Sequence, residues 1–553
     1  MPRASIQHAL AVMFATATAA VLAQQQVPDA GRLLRETTPP PSLPQREAPK
    51  IEIEEAPTAR APEGPLIHVA RLRITGATAF TEAELHALVA DGEGKELSLG
   101  ALRGLAERVT QHYRSHGYLL ARAYLPAQDV TNGEVQIAVL EGRLGEVRVD
   151  NPAGVGGAAL APLAQLNPGE LAHGRALERN LLLLSDLPGV EVKSTLKPGA
   201  TLGASDLLVD VAPGRRVTGS VDFDTFGNRF SGQYRVGGIV NFNNPLRLGD
   251  QAALRAMVSD EGMTYLRGSY QLPVNGQGSR VGLAWSDMHY RLGKDLAPLE
   301  AEGDAQVGSL YAMHPFVRSR TFNLYAQLQY DRLRLKDRIN ATATAIDKRL
   351  NNWSVAMNGD VQDGLAGANS FSVAYSAGDL DLDPVSRALD AATARSGGSF
   401  GKWHLSWLRL QPLTGAFSLY FSAMAQFASK NLDSSQKLSL GGVYGVRAYP
   451  QNEAPGDEGY VASLEARYNL PISVPGVWQL TAFVDTGHVR LNKQVWAAGE
   501  NSRTLSGAGF GLNAAPASNW YLKASLAWKL GGGRPLSDVD RSPRVWFQAG
   551  RLF

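Results

Sequence analysis

Two residues of this chain have the types and setting to form an ion pair inside a β-structure. Arg447 stands in an apolar and aromatic context, Val446-Arg447-Ala448-Tyr449, within the glycine-rich stretch LSLGGVYGVRAYPQNEAPGDEGYVASLEARY from Leu438 to Tyr468. Asp485 lies in Phe483-Val484-Asp485-Thr486-Gly487. Successive side chains of a strand point to opposite faces, so Trp478, Leu480, Ala482 and Val484 share one face and Gln479, Thr481, Phe483 and Asp485 the other. A carboxylate on the polar face of a strand and a guanidinium on a long loop entering the preceding strand (roughly Tyr460 to Tyr468) can make paired, charge-assisted hydrogen bonds. The rest of the chain must supply the elements that hold them.

Bulk composition narrows the function classes. The 553 residues exceed one ordinary domain, and a formal net charge of +2 gives no case for nucleic acid as a partner. There is no cysteine, which excludes disulfides, thiolate nucleophiles and cysteine-based metal sites. No nucleophile elbow, Walker loop, HExxH helix or clustered metal-ligand set is present, so the sequence carries no case for catalysis, a cofactor or a metal. Gly100-Ala101-Leu102-Arg103-Gly104 has no strand before it and lies within a helical pattern, so it is not a phosphate loop.

The first 23 residues have the form of a signal peptide: Arg3 and His8, the apolar run Ala9 to Leu22, and Val21-Leu22-Ala23 before Gln24. Residues 24–36 can make two or three turns of helix. Residues 37–65 are rich in proline, from Pro39-Pro40-Pro41 to Pro65, which disfavours helix and central strand and favours an extended linker. Residues 66–143 and 144–214 then repeat one order: strand, helix, helix, strand, strand. In the first, His68 to Thr75 reads as a strand, Thr81 and Ser98 as helix caps, and Tyr118 to Tyr124 and Glu134 to Leu140 as strands. In the second the strands are Val147 to Val149, Val190 to Leu196 and Leu207 to Val211. Its helices are Ala158 to Leu166 and Arg175 to Leu187, and Leu181 to Leu184 is read as helix core.

From residue 215 to 553 the pattern becomes amphipathic strands divided by Gly, Asn, Asp and Pro turns. The clearest is Trp520, Leu522, Ala524, Leu526, Trp528 and Leu530 alternating with Tyr521, Lys523, Ser525 and Lys529. Strands of about ten residues with aromatics near their ends are the mark of outer-membrane barrels, and roughly sixteen such segments allow a closed, even-numbered barrel.

These stretches together resemble two-partner secretion outer-membrane transporters (TpsB type, outer-membrane protein 85 superfamily). Val446-Arg447-Ala448-Tyr449 resembles the family's VRGY loop motif, with Ala448 where glycine is usual, and Phe483, Asp485 and Gly487 match its FxDxG strand motif. The paired domains resemble POTRA modules through HGYLLARAYLPAQ, NGEVQIAVLEG and LERNLLLLSDLPGVEV. DTFGNRFSGQYR and FNNPLRLGD resemble the family's first barrel hairpin, and Tyr270-Gln271-Leu272-Pro273 resembles a later strand end. The chain ends on Phe553, the terminal aromatic that the barrel assembly machinery commonly reads, although Arg551 is polar where an apolar residue is usual.

The resemblance implies an outer-membrane β-barrel preceded by two periplasmic POTRA domains and an N-terminal helix that plugs the pore. It implies a protein that is not an enzyme and that exports an unfolded TpsA-type exoprotein (an adhesin, a haemolysin or similar) without ATP. Arg447 would anchor its loop by pairing with Asp485. The barrel would contact outer-membrane lipid. An assembly factor of the same superfamily is the alternative, and a passive porin would lack the POTRA modules.

Overall fold

The computed structural model describes residues 27–37, 51–53, 66–130, 132–201, 203–515 and 519–553. The expected signal peptide, residues 24–26 and most of the proline-rich linker lie outside the described residues.

In the first α/β domain, helix Glu82–Ala87 is capped by Thr81, which accepts from the Glu84 N–H at 3.3 Å, and helix Leu99–Ser115 by Ser98, which accepts from Ala101 N–H at 3.2 Å. The longer helix buries Leu102, Leu105, Val109 and Tyr113 against the sheet Arg71–Thr75, Glu134–Leu140, Arg122–Tyr124. The expected continuous strand from His68 to Thr75 is broken at Ala70. Ala70 and Arg71 both donate to the Gly133 carbonyl, at 2.7 and 3.2 Å. Ile67–Val69 therefore pairs with Lys95–Leu97, and Arg71–Thr75 with Glu134–Leu140. Only Arg122–Tyr124 of the expected strand from Tyr118 joins this sheet; Tyr118 instead bridges to His173 of the second domain.

The second domain packs helix Gly174–Ser185 on a sheet of Arg143–Asp150, Ala204–Pro213 and Val190–Pro198. The expected helix from Ala158 to Leu166 splits into Gly157–Leu160 and a 3-10 turn Leu163–Gln165, with Pro162, which has no N–H to give, between them. One strand of this sheet comes from far upstream. Ile51–Ile53, from the proline-rich segment, pairs in parallel with the edge strand, in the register Ile51↔Ser194, Glu52↔Thr195, Ile53↔Leu196.

Among the described residues sixteen antiparallel strands close a barrel, from Val217–Asp224 to Arg544–Leu552. The first and last strands meet in the register Ser220↔Leu552 to Asp224↔Gln548, and Gly219 and Phe553 exchange both backbone hydrogen bonds at 3.0 Å. Closure leaves no strand edge exposed to lipid. Alternation sorts the faces: Val236, Leu254, Leu283, Trp353, Trp403, Val484 and Phe510 are exposed on the outside, while Tyr290, Asp337, Phe483 and Asp485 are buried within. Arg551 points outward, its guanidinium 5.7 Å from the Trp520 ring centre. No helix among the described residues is long and apolar enough to cross a membrane.

The second domain is clamped to one mouth of the barrel. Arg318 holds both Asp186 carboxylate oxygens at 2.7 Å, Arg280 donates to the Asp186 carbonyl at 2.6 Å, and Arg179 to that of Pro315 at 2.9 Å. The Leu181–Leu184 run serves two surfaces. Leu181 and Leu184 belong to the domain core, whereas Leu183 lies against the barrel turn at Gly278, where an added Cβ would stand within van der Waals overlap of its methyl.

Candidate functional site: an arginine loop and a helix inside the barrel

After strand Phe417–Ala428 the chain makes a long excursion before strand Glu458–Asn469 and folds back into the lumen. Tight turns shape its tip: Val446 donates to the Leu440 carbonyl at 2.8 Å and Tyr449 to that of Val446 at 3.0 Å. Gly442 has φ +126°, a backbone state that a side chain would strain. Leu438, Leu440, Val446, Ala448 and Tyr449 bury themselves against wall residues Val461, Phe483, Val489, Leu505 and Ala527. This apolar packing fixes the loop against the wall and aims Arg447.

The structure brings Arg447 and Asp485 together. Arg447 Nη2 donates to Asp485 Oδ1 at 2.7 Å, Nε to Oδ2 at 2.9 Å, and the Arg447 backbone N–H to Oδ2 at 3.0 Å. The guanidinium also lies 3.4 Å from the Phe483 ring centre, a cation–π contact in a desolvated setting. Phe483 and Asp485 share the inward face of strand Val477–Arg490, and Gly487 leaves room for Leu440, whose methyl would be 2.9 Å from a Cβ there. Ala448 is accommodated by Gly507 across the lumen wall: a Cβ on Gly507 would meet the Ala448 methyl at 2.6 Å. Tyr449 donates to the Gly533 carbonyl at 3.0 Å. Phe553 is remote from this cluster, at the closing seam.

Three further residues complete the site. Glu465 Oε1 accepts from Arg447 Nη1 at 2.6 Å, Ser463 Oγ from Nη2 at 2.9 Å, and Trp546 Nε1 donates to the Arg447 carbonyl at 2.7 Å. Glu465 in turn binds Arg467 at 2.7 Å, and Arg467 stacks 3.8 Å from the Tyr420 ring centre. Ser463 and Glu465 alternate on the strand read from sequence, but only cross-strand register shows that Ser463 faces Asp485. Two more carboxylates tie the exit of the loop to its neighbours. Glu453 takes the N–H groups of Leu536 and Ser537 at 3.0 and 2.9 Å, and pairs with Arg503. Asp457 takes those of Leu432 and Lys493 at 3.0 and 2.8 Å.

The lumen also holds a helix, Ala30–Glu36. Asp29 caps it, accepting from Arg32 N–H at 2.9 Å, and Ala30 N–H donates to Asp337 on the barrel wall at 2.7 Å. Its mixed polarity suggests weak packing in a polar pore. Leu33 is instead fully buried, in an apolar nest built from Met257, Met263, Tyr265, Met288 and Leu335. The other side of the helix meets the arginine loop: Asn452 donates to the Arg32 carbonyl at 3.3 Å, and Arg35 to Ser439 Oγ at 3.3 Å. Arg235 is held by Asp224 at 2.8 Å and reaches the Glu36 carbonyl at 3.4 Å, where the helix dipole favours a cation. Helix and loop occupy the lumen together. Among the described residues no group of His, Asp and Glu side chains could hold a metal ion.

Comparison with known proteins agrees with this architecture. The family model for haemolysin secretion/activation protein ShlB/FhaC/HecB matches residues 203–514, and that for the ShlB-type POTRA domain matches residues 67–142. The chain is 28% identical over 474 residues to the heme/hemopexin transporter protein HuxB of Haemophilus influenzae strain 86-028NP, covering 84% of this chain and 82% of that protein. It is 27% identical over 505 residues to the outer membrane transporter CdiB of Escherichia coli O6:K15:H31, covering 88% and 83%. The solved structure of CdiB from Escherichia coli superposes with a TM-score of 0.70 at 23% identity, covering 90% of this chain and 93% of that one, which shows the shared fold. With that family model spanning more than half of its length, the chain belongs to the ShlB/FhaC/HecB family of haemolysin secretion/activation proteins.

Proposed function

We propose that the protein is the outer-membrane pore of a two-partner secretion system, receiving one large unfolded exoprotein in the periplasm and passing it to the cell surface. The observation that carries this reading is the match of the barrel, with its lumenal arginine loop, to a family of secretion transporters and not of enzymes. The POTRA domains lie in the periplasm, at the barrel mouth where Asp186 meets Arg318. An unfolded chain offers unpaired main-chain groups, and POTRA sheet edges can take these up by adding a strand. No ATP is needed if folding of the exported chain outside the cell biases its movement. In this reading the lumenal helix is a plug, the Arg447–Asp485 pair anchors the loop, and the C-terminal Phe553 addresses the chain to the barrel assembly machinery. Relatives named as HuxB and CdiB transporters and a haemolysin transporter support a TpsA-type exoprotein as partner. They favour export over the insertase alternative. Co-expression with the exoprotein encoded in the neighbouring reading frame tests this: the exoprotein should reach the medium or cell surface only with this chain present. Its retention in the periplasm, alongside correctly folded barrel, would overturn the reading.

A further inference from the structure

The strand Phe322–Ile339 starts beside Arg318, at the mouth that carries the second POTRA domain, and runs to the opposite, outer end of the barrel. Its outward face changes character along the way. Leu324, Ala326, Leu328 and Tyr330 are apolar or aromatic; Arg332, Arg334, Lys336 and Arg338 follow, all exposed. Ten residues at about 3.3 Å each, tilted by 35–45°, rise roughly 25 Å, the height of the apolar band of such barrels. The first arginines therefore stand at the level where acyl chains give way to headgroups in the outer leaflet. Tyr330 and Trp353, their tilted rings 4.8 Å apart directly below, are the aromatic pair expected at that boundary.

Register then brings the cations together. Arg334 lies directly opposite Arg349 of strand Thr344–Gln362, and Arg332 is two positions away on the same face. Like charges directly opposite on one face of a sheet destabilise it. The strand on the other side presents Gly308 opposite Arg332 and Gln306 opposite Arg334, neither of them acidic. Asp381, beside Arg349 on its far neighbour, is taken up by Arg387. Higher on the wall Lys336 and Arg338 do face acids, Asp304, Asp347 and Glu302, and of these Asp304 is engaged by His289 and Glu302 by Arg291. Arg332, Arg334 and Arg349 thus share one lipid-facing wall at headgroup height, and the one acid directly opposite any of them, Asp381, is already held by Arg387. Guanidinium groups bind phosphate through two parallel hydrogen bonds, and do so best where water is thinned.

We propose that Arg332, Arg334 and Arg349 form a binding site for the phosphate groups of an outer-leaflet lipid. The site rests on the reading of the barrel as an outer-membrane pore. Its ligand is the phosphorylated headgroup of a saccharolipid held with its acyl chains against Leu328, Trp353 and Val355.

The test uses the full chain in detergent, with bis-phosphorylated deep-rough lipopolysaccharide as probe and its enzymatically dephosphorylated form as control, and native mass spectrometry as readout. The unaltered chain should bind the phosphorylated lipid at least tenfold more tightly than the control. Arg332→Gln/Arg334→Gln/Arg349→Gln should lose that preference while keeping the heat-modifiable gel migration of a folded barrel. Retained preference in the triple variant, or equal binding of both lipids by the unaltered chain, overturns the site. So does complete displacement of the lipid by millimolar inorganic phosphate, which would mark a site for the free ion. If the triple variant fails to fold, Arg334→Gln and Arg349→Gln singly should each weaken binding, and unchanged binding in both overturns the site. Fractionation separates the two readings: a chain found in outer membranes with no phosphate preference refutes only the lipid site, and a chain absent from them refutes the pore.

Discussion

Gly31 of the lumenal helix lies against Ser435 of the arginine loop so closely that no side chain fits between them. A Cβ on Gly31 would stand 2.6 Å from the Ser435 Cβ and 2.9 Å from its Cα. Glycine within a helix lowers helix stability by roughly 0.8–1 kcal/mol relative to alanine. The contact explains why it is tolerated: it lets helix and loop share one lumen. Gly31→Ala should therefore strengthen the isolated helix and yet loosen it from the pore. The expected outcome is a higher single-channel conductance in planar bilayers, approaching that of a chain lacking residues 24–36, with secretion retained. Unchanged conductance in both variants would leave the arginine loop as the obstruction.

Removing Arg447 leaves Asp485 buried without its cation, which for a fully buried pair costs about 3–5 kcal/mol, whereas removing Asp485 leaves Arg447 with Glu465 alone. Arg447→Ala and Asp485→Ala should abolish secretion while a folded barrel still reaches the outer membrane. Arg447→Lys should not restore it, because an ammonium cannot serve Asp485, Glu465 and Ser463 in one plane. Normal secretion in the alanine variants, measured as exoprotein in the medium, would remove the pair from the mechanism.

In the first POTRA domain Glu141 accepts from the Thr78 and Ala79 N–H groups at 2.5 and 2.7 Å, from the Thr78 hydroxyl, and from Tyr113 Oη at 2.8 Å. Burial pushes its pKa up, but these hydrogen bonds outweigh burial and hold it below the ordinary glutamate value. A depressed carboxylate contributes stability that is present above its unfolded pKa, about 4.3, and lost as pH falls through the folded value. Glu141→Gln should cost the isolated residues 66–213 about 1–3 kcal/mol at pH 7, and should flatten the loss of stability below about pH 4.5. Urea melts at pH 7 and pH 4 read both effects; equal losses at the two pH values would contradict the assignment.

The register Glu52↔Thr195 invites a cross-link, since the chain has no cysteine of its own. Glu52→Cys/Thr195→Cys should oxidise readily, protecting both thiols from maleimide under denaturing conditions. If client strands use the same sheet edge, the oxidised form should secrete several-fold less than the reduced form, with single-cysteine variants unaffected. Secretion indifferent to oxidation would place client capture elsewhere.

Strand faces were legible because alternation is local: Asp485 and Phe483 fall on one inward face from spacing alone. What Asp485 meets was only partly legible. Glu465 and Ser463 join through cross-strand register, which is a property of pairs of strands and not of any one of them. The apolar nest of Leu33 is not legible for the same reason, since Met257, Tyr265 and Met288 come from three different strands and meet only through their register. The breaks at Ala70 and Pro162 have other causes. Pro162 stands within a short apolar run that otherwise has helical spacing, and the Ala70 turn depends on the distant Gly133 carbonyl.

The short ladder between Ile51–Ile53 and the second POTRA sheet turns the lumenal helix into an element on a leash. Positions 38–50 are all that joins Thr37 to Ile51, and at roughly 3.3–3.6 Å per residue they reach at most about 50 Å. That is close to the 40–45 Å of a bilayer with its headgroups. Outward travel of the helix therefore ends near the rim, whereas withdrawal toward the periplasm shortens the span and meets no such limit. If, as proposed, the helix is a plug displaced by the client, the linker strand would act as a mechanical rectifier: a client moving outward could not carry the helix out with it, and the two would pass in opposite directions.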